Sequence, residues 1–106
     1  MENKYDHKNW WHDKLTEDAK ASRLRFANEL ASLIKERWDG GRSLHGVKVL
    51  AASNAGIGNG SWCARAAYNA RRSGASRFLR HEIVVSRLEE LGIIVDKGAH
   101  GGFRKK

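Results

Sequence analysis

The C-terminal segment SRLEELGIIVDKGAHGGFRKK, residues 86 to 106, constrains the fold of this chain more than any other part of it. A helical pattern stops at Gly92, and glycine readily takes the left-handed conformation that ends helices. The apolar run from 93 to 95 favours a strand, the glycines between 98 and 102 supply a turn, and Phe103 begins a return strand. The sequence therefore predicts a helix that runs directly into a β-hairpin.

Two helices are predicted immediately before this hairpin. Ser61 is a good N-cap for a helix whose small apolar residues recur at three- and four-residue spacing. That helix is expected to end at Arg72, and Gly74 is expected to make a tight turn within Ser73-Gly74-Ala75. Ser76 then opens a second helix that runs to Leu91. Two helices joined by a turn of about three residues form a helix-turn-helix unit, and a hairpin directly after it is a wing.

A long amphipathic helix is predicted upstream, from 16 to 38. Thr16 can cap its first turn, and Asp39-Gly40-Gly41 ends it. One apolar stripe is expected to face the core, made of Leu24, Ala27, Ala31, Ile34 and Trp38, widened by Leu30 and Leu33. Residues 1 to 15 have no clear period and are interpreted as an N-terminal arm, so that residues 16 to 106 form the folded domain.

The segment from 44 to 60 connects these two parts of the chain. Its apolar run from 47 to 52 is compatible with a short strand or with one helical turn. Gly56, Gly58 and Gly60 at alternate positions indicate a flexible connection. A phosphate-binding loop requires a different glycine spacing and a following Lys-Ser/Thr, so we do not expect a nucleotide site here.

The positive charge of the chain is concentrated in its C-terminal part. The net charge is +8, yet residues 1 to 41 hold eight Lys/Arg and eight Asp/Glu, whereas residues 42 to 106 hold twelve and four. Residues 61 to 81 carry five arginines and no acidic residue. Such a distribution creates a concentrated positive potential, which indicates a polyanion as the partner.

Other classes of protein find little support in the composition. No stretch approaches the ~20 apolar residues that span a bilayer, and the N-terminus lacks the apolar segment of a signal peptide. The five histidines and the single cysteine, Cys63, lack the spacing of a zinc site. We therefore expect a soluble cytoplasmic protein that is not an enzyme and has no metal or cofactor.

The segment ARRSGASRFLRHEIVVSRLEELGIIVDKGAHGGFRK, residues 70 to 105, resembles the winged helix-turn-helix of bacterial transcription regulators, most closely the GntR-type version. In that family a Gly-x-Ser turn precedes a recognition helix that opens with Ser-Arg and closes with Arg-Leu-Glu-x-x-Gly. Gly74, Ser76 and Arg77 stand at the opening, and the run from 86 to 94 stands at the close. The resemblance implies a DNA-binding winged helix and does not imply regulation by a bound metabolite.

The expected contacts with nucleic acid follow from placing residues 76 to 91 on one helix. Val84, Val85, Leu88 and Leu91 then face the core. A stripe at the edge of the helix can reach base edges or phosphates, and it consists of Arg80, Ile83 and Arg87. The helix start and the end of the preceding helix contribute Arg71, Arg72, Ser76 and Arg77, and the wing contributes His100, Arg104 and Lys105. The acidic residues on the opposite face limit the footprint, because DNA would repel them.

Three functions compete for this sequence. The leading hypothesis is a sequence-specific transcriptional regulator that binds double-stranded DNA as a homodimer, with Trp10 and Trp11 of the arm at the interface between subunits. The second is a small adaptor or inhibitor, of the kind that mobile elements encode, that uses a winged-helix scaffold to grip a protein partner. The third is an RNA-binding protein, since the same basic surface would bind RNA.

Overall fold

The computed structural model describes residues 16 to 96 and 102 to 106. Within these residues the chain is mainly helical with one small antiparallel sheet, as the sequence predicts. The elements in chain order are α1 (Glu17–Asp39), α2 (Val47–Asn54), α3 (Ala64–Phe78), α4 (Glu82–Glu90), β1 (Ile93–Asp96) and β2 (Gly102–Lys105). The predicted interface residues Trp10 and Trp11 and the predicted wing residue His100 lie outside the described residues.

Helix α1 forms the centre of the core. The Thr16 hydroxyl accepts a hydrogen bond from the amide of Ala19 at 3.1 Å, so the predicted cap is confirmed. The buried face of α1 consists of Phe26, Ala27, Leu30, Ala31 and Ile34. The expectation for Leu24 is wrong, since 39% of this residue is exposed, and Phe26 is completely buried. The stripe is rotated toward Phe26 because a phenylalanine buries more apolar area than the leucine beside it.

The apolar run from 47 to 52 forms a helix rather than a strand. Gly46 has a φ of 76°, which lets the backbone turn sharply into α2. The turn before it is held by Arg37 of α1, which donates hydrogen bonds to the carbonyls of Ser43 at 2.8 Å and His45 at 3.1 Å. Helix α2 then packs against α1 through Val47, Ala51 and Ala52, all of them buried.

The predicted turn at Ser73-Gly74-Ala75 is wrong, because α3 runs through it without interruption. Gly74 is buried inside the helix, and a Cβ atom there would lie 3.0 Å from Cγ2 of Ile57. The glycine is therefore needed for close packing and not for a turn. The predicted helix starts at Ser61 and Ser76 are also wrong. Helix α3 begins after Cys63, whose Sγ accepts a hydrogen bond from the amide of Ala66, and Ser76 lies within the helix because α3 continues through Gly74.

The turn between the last two helices lies at residues 79 to 81, where His81 is buried. Helix α4 buries Val84 and Leu88 as predicted, while Val85 and Leu91 are half-buried. Gly92 has a φ of 90° and leads into β1.

The hairpin that the sequence predicts is confirmed. Strand β1 pairs with β2 in antiparallel register, with Ile93 opposite Lys105 and Asp96 opposite Gly102. Ile93 is fully buried and joins the core beside α4. Nε of Arg104 lies 2.7 Å from Oδ1 of Asp96, which ties the two strands together.

A double-mutant cycle tests the role of Gly74. Alanine has a helix propensity roughly 1 kcal/mol better than glycine, so Gly74→Ala should raise the free energy of unfolding by about that amount where space exists. In the native chain the methyl group of Ile57 occupies that space, and overpacking costs about 1–3 kcal/mol. We therefore expect Gly74→Ala to stabilise the Ile57→Ala variant but not the native protein in urea unfolding. The same effect in both backgrounds would show that Gly74 is not a packing residue.

Candidate nucleic-acid interface

Residues 40 to 81 contain seven Lys/Arg residues and no acidic residue. This segment comprises α2, α3 and the connections around them. The positive potential that the sequence predicts is thus carried by a defined part of the fold. The longest element in it, α3, has 15 residues and is therefore roughly 22 Å long.

Helix α3 has one buried face and one exposed polar face. Ala67, Gly74, Ala75 and Phe78 are buried. The exposed face consists of Arg65, Tyr68, Asn69, Arg72, Ser73, Ser76 and Arg77. These positions recur at three- and four-residue spacing and therefore lie on one side of the helix. Each of these side chains except Tyr68 is strongly hydrophilic, and all of them can donate hydrogen bonds.

The arginines on this face have no ion-pair partner in the part of the chain that the structure describes. Arg65, Arg72 and Arg77 belong to no salt bridge there, and Arg80 in the following turn is likewise exposed and unpaired. Their guanidinium groups are available to a ligand because they would give up no protein contact to bind it. Planar guanidinium groups bind phosphates and guanine edges in a bidentate manner.

Arg23 adds positive charge at one end of α3. Its guanidinium group lies over the ring of Phe78, 4.7 Å from the ring centroid, and its Nη1 donates to the carbonyl of Ala19. Burial, and to a lesser extent the charge of Arg77, lowers the pKa of Arg23. Two neighbouring cations that repel each other are stabilised when an anion binds beside them.

The sequence-predicted contact residues do not all lie on one surface. Four of them lie together on α3 and the turn that follows it, namely Arg72, Ser76, Arg77 and Arg80. Arg71 is half-buried, and its Nε donates to the carbonyl of Ile57 at 3.0 Å, so it holds the connection between α2 and α3. Its Nη2 lies 3.5 Å from Oδ1 of Asn59 in the same connection.

Arg87 and Ile83 lie apart from this group, on α4. Nε of Arg87 donates to Oδ1 of Asn28 at 2.9 Å, and its Nη1 lies 3.2 Å from Oε2 of Glu90. Arg87 therefore joins α4 to α1 and is not free to reach a base. Ile83 is half-buried in a shallow depression of about 400 Å³ between α1 and α4, which Leu24 and Glu90 also line.

The exposed face of α4 is acidic. It presents Glu82, Glu89 and Glu90, and all three are exposed. Phosphate groups are repelled by such a surface. Charge therefore favours α3 over α4 as the helix that faces a polyanion, although the predicted recognition helix contains all of α4.

The hairpin residues lie next to the basic segment. Gly102 and Phe103 of β2 line a groove of about 780 Å³ together with residues of α2 and α3, including Lys48, Tyr68 and Arg72. The described residues that line this groove include no acidic side chain. Arg104 is paired with Asp96, and Nζ of Lys105 lies 5.5 Å from the centroid of the Trp38 ring.

Four residues of this surface are absent from the sequence-based prediction: Trp62, Arg65, Tyr68 and Asn69. They were missed because the recognition helix was predicted over residues 76 to 91, so contacts were expected only from the end of the helix before it. The signal that could have found them is the recurrence of polar residues at 65, 68, 69, 72, 73 and 76 in a segment without acidic residues.

Three further observations bear on function. No family model, curated protein or solved structure matches this chain. In residues 16 to 96 and 102 to 106, no helix is long and apolar enough to cross a membrane. In the same residues, no group of three or more histidine, cysteine or carboxylate side chains is arranged to hold a metal ion. The charge and geometry of α3 are therefore the features of the described residues that bear most directly on function.

Replacing Arg87 and Arg72 separately tests this division of roles. Arg87→Ala removes the hydrogen bond to Asn28, so it should lower the free energy of unfolding by about 1 kcal/mol. Arg72→Ala should leave the free energy of unfolding within about 0.5 kcal/mol of the native value, because an exposed charge without a partner contributes little. Urea unfolding of both variants gives the comparison. A larger loss for Arg72→Ala than for Arg87→Ala would contradict it.

Proposed function

We propose that this protein binds double-stranded DNA through the exposed face of α3. The observation that carries the proposal is the combination of arginine, asparagine and serine side chains on one 15-residue helix within a segment that has no acidic residue. Arginine pairs with guanine, asparagine pairs with adenine and serine with either, so this face has the side chains that read base edges. The major groove, about 12 Å wide, admits one α-helix.

Individual residues take different roles in this proposal. Asn69, Arg72 and Ser76 lie along the middle of the exposed face and contact base edges. Arg77 and Arg80 lie at the C-terminal end of α3 and contact phosphates, which fix the position of a protein on the duplex without reading sequence.

The hairpin acts as the wing of a winged helix in this proposal. Strand β2 borders the same groove as α3, so a duplex on α3 passes close to it. Lys105 is exposed on this strand and is suited to contact with the DNA backbone, whereas Arg104 is exposed but paired with Asp96. Helix α4 supports the site by packing against α1 and β1. In this proposal α4 does not itself enter the major groove of the DNA.

The sequence also predicts a dimeric transcriptional regulator, and the proposal includes this expectation. One helix in one groove makes few base contacts, and proteins of this kind commonly pair two half-sites one helical turn apart. We therefore propose a homodimeric, sequence-specific transcriptional regulator. The roles of Trp10 and Trp11 in the dimer stay predictions.

The adaptor hypothesis is the second candidate, and one observation favours it. Leu24 is 39% exposed and lines the depression between α1 and α4 together with Ile83. The charged residues around this apolar patch are Glu82, Glu90 and Arg87, and Arg87 is paired with Glu90, so the net charge there is negative. Such a patch suits a basic protein partner better than it suits nucleic acid. The two surfaces share no residue, so a partner on α4 would leave α3 free.

The proposal is tested by removing charge from α3 and measuring DNA affinity over a salt series. Each phosphate contact contributes about 0.9 to the slope of log K against log salt concentration. Arg72→Ala/Arg77→Ala should lower the slope by roughly 1, because Arg77 of this pair contacts a phosphate, and should weaken binding to a duplex at least about tenfold at moderate salt, because Arg72 also loses a base contact. Fluorescence anisotropy with a labelled random duplex measures both quantities, and selection of preferred duplexes measures sequence specificity.

Lys20→Ala/Lys35→Ala is the matched control, because it removes the same charge from α1. It should change the slope by much less than the α3 variant does. Equal effects of the two double variants would mean that only net charge matters and would contradict a site on α3. A native protein that binds no duplex even at low salt would exclude the proposed function and favour the adaptor hypothesis.

A further inference from the structure

Two aromatic side chains stand exposed in the most basic part of the molecule. Trp62 is 90% exposed and Tyr68 is 50% exposed. Trp62 directly precedes Cys63, the N-cap of α3, and Tyr68 lies in the second turn of that helix. Exposing a tryptophan to this extent forgoes the burial of a large apolar surface. A ligand that covers the ring would recover that free energy.

Cationic side chains alternate with these rings along the chain. The order is Trp62, Arg65, Tyr68 and Arg72, and we call these four residues the aromatic–arginine row. The residues at 65, 68 and 72 share the exposed face of α3, and all four are exposed. At 1.5 Å per residue, the three that lie on α3 extend over roughly 10 Å of helix. This length suits a short run of nucleotides and not a large surface.

The groove beside Tyr68 has an apolar lining with cations at its edge. Leu44, Leu50 and Phe103 line it, and Leu50 is 41% exposed. Lys48 and Arg72 also line it, with Nζ of Lys48 5.5 Å from the centroid of the Phe103 ring. Such a site can receive a flat ring against its apolar side chains while the cations meet a phosphate.

The chemistry of the row favours unpaired nucleotides over an intact duplex. In an intact duplex the faces of the bases are stacked on each other, and only their edges can be contacted, so a duplex alone does not cover the face of Trp62. Unpaired bases stack on aromatic side chains, while arginine and lysine follow the backbone of the strand. Because no carboxylate lies between residues 40 and 81, the whole site has the positive charge that binding of a phosphate backbone requires.

We propose that the aromatic–arginine row binds unpaired nucleotides, so that the preferred substrate is a duplex joined to a single strand. This inference rests on the proposed function, because Arg72, the last residue of the row, lies where the unpaired part meets the duplex, and Arg72 and Arg77 hold the duplex part. Trp62 and Tyr68 stack on bases of the unpaired part, and Arg65 binds the phosphates between them.

The experiment compares three labelled DNA probes of matched sequence by fluorescence anisotropy. These are a blunt duplex, the same duplex with a ten-nucleotide overhang at its 5′ or 3′ end, and the single strand alone. Stacking contributes about 1–3 kcal/mol per base, which corresponds to roughly 5- to 150-fold in affinity. We expect the native protein to bind one overhang duplex at least about fivefold more tightly than the blunt duplex.

The variant Trp62→Ala/Tyr68→Ala should remove this preference, so that it binds the overhang and blunt duplexes with affinities within about twofold of each other. Trp62→Phe/Tyr68→Phe should retain most of the preference, because phenylalanine still stacks. Leu24→Ala is the control for loss of an exposed apolar side chain on α1 and should change neither affinity. Since Trp62 and Tyr68 are exposed, all variants should unfold at the native urea midpoint. If the double variant Trp62→Ala/Tyr68→Ala unfolds at a lower midpoint, Trp62→Ala alone serves as the test.

Each alternative result has a distinct meaning. Equal affinity of the native protein for blunt and overhang duplexes would overturn this inference and leave the proposed function standing. A preference for overhangs that survives Trp62→Ala/Tyr68→Ala would place the unpaired bases elsewhere on the molecule and would also overturn it. Failure to bind any of the probes would overturn both. If the native protein binds none of the DNA probes but binds a Glu-rich amphipathic peptide, and Trp62→Ala/Tyr68→Ala abolishes peptide binding, the row would be assigned to a protein partner.

Discussion

Burial of one face of α1 is the interaction on which the rest of the structure depends. Phe26, Leu30 and Ile34 are completely inaccessible to solvent, and both α2 and α4 pack against the helix that carries them. Helix α3 is held differently, mainly by α2 and by the edge-to-face contact of Phe78 with Phe26, whose ring centroids are 5.5 Å apart. Among residues 16–96 and 102–106, α3 is supported from one side only, so its opposite face is exposed there.

Close backbone packing fixes where that face points. Gly74 lets α3 approach Ile57, and Gly58 lies so near α3 that a Cβ atom there would be 2.9 Å from the carbonyl oxygen of Ala67. The φ of Gly58 is +85°, so a side chain would be strained there even without the contact. The connection between α2 and α3, which the glycines in the sequence present as flexible, is thus pressed against the helix and tied to it by Arg71.

Local signals in the sequence predicted those parts of the fold that local interactions determine. The bounds of α1 follow from its cap, its apolar period and Gly40, and the hairpin follows from Gly92 and the β-favouring residues after it. The continuity of α3 could not be read in the same way. A glycine within a helical pattern is commonly interpreted as a turn signal. Gly74 instead serves close packing, because the side chain of Ile57, from an earlier segment of the chain, lies against it.

The candidate site was predictable in its charge but not in its geometry. Counting charges located the basic segment correctly, since charge depends on composition alone. Which arginines are free depends on acceptors that other elements bring near them: the carbonyl of Ile57 for Arg71 and the amide oxygen of Asn28 for Arg87. No spacing rule reveals such partners, so bound and unbound arginines look alike in the sequence.

The separation of charge between α3 and α4 has a consequence beyond attraction. The basic groove beside α3 and the depression on α4 have no lining residue in common, and the second is bordered by Glu82 and Glu90. A polyanion is therefore attracted to one surface and repelled from the other, which selects one orientation of approach before any base is contacted. The carboxylates of α4 reduce the net charge, but they increase the difference in potential between the two surfaces. In the proposed complex with DNA, that difference, and not the total charge of +8, determines how a phosphate backbone is oriented on α3.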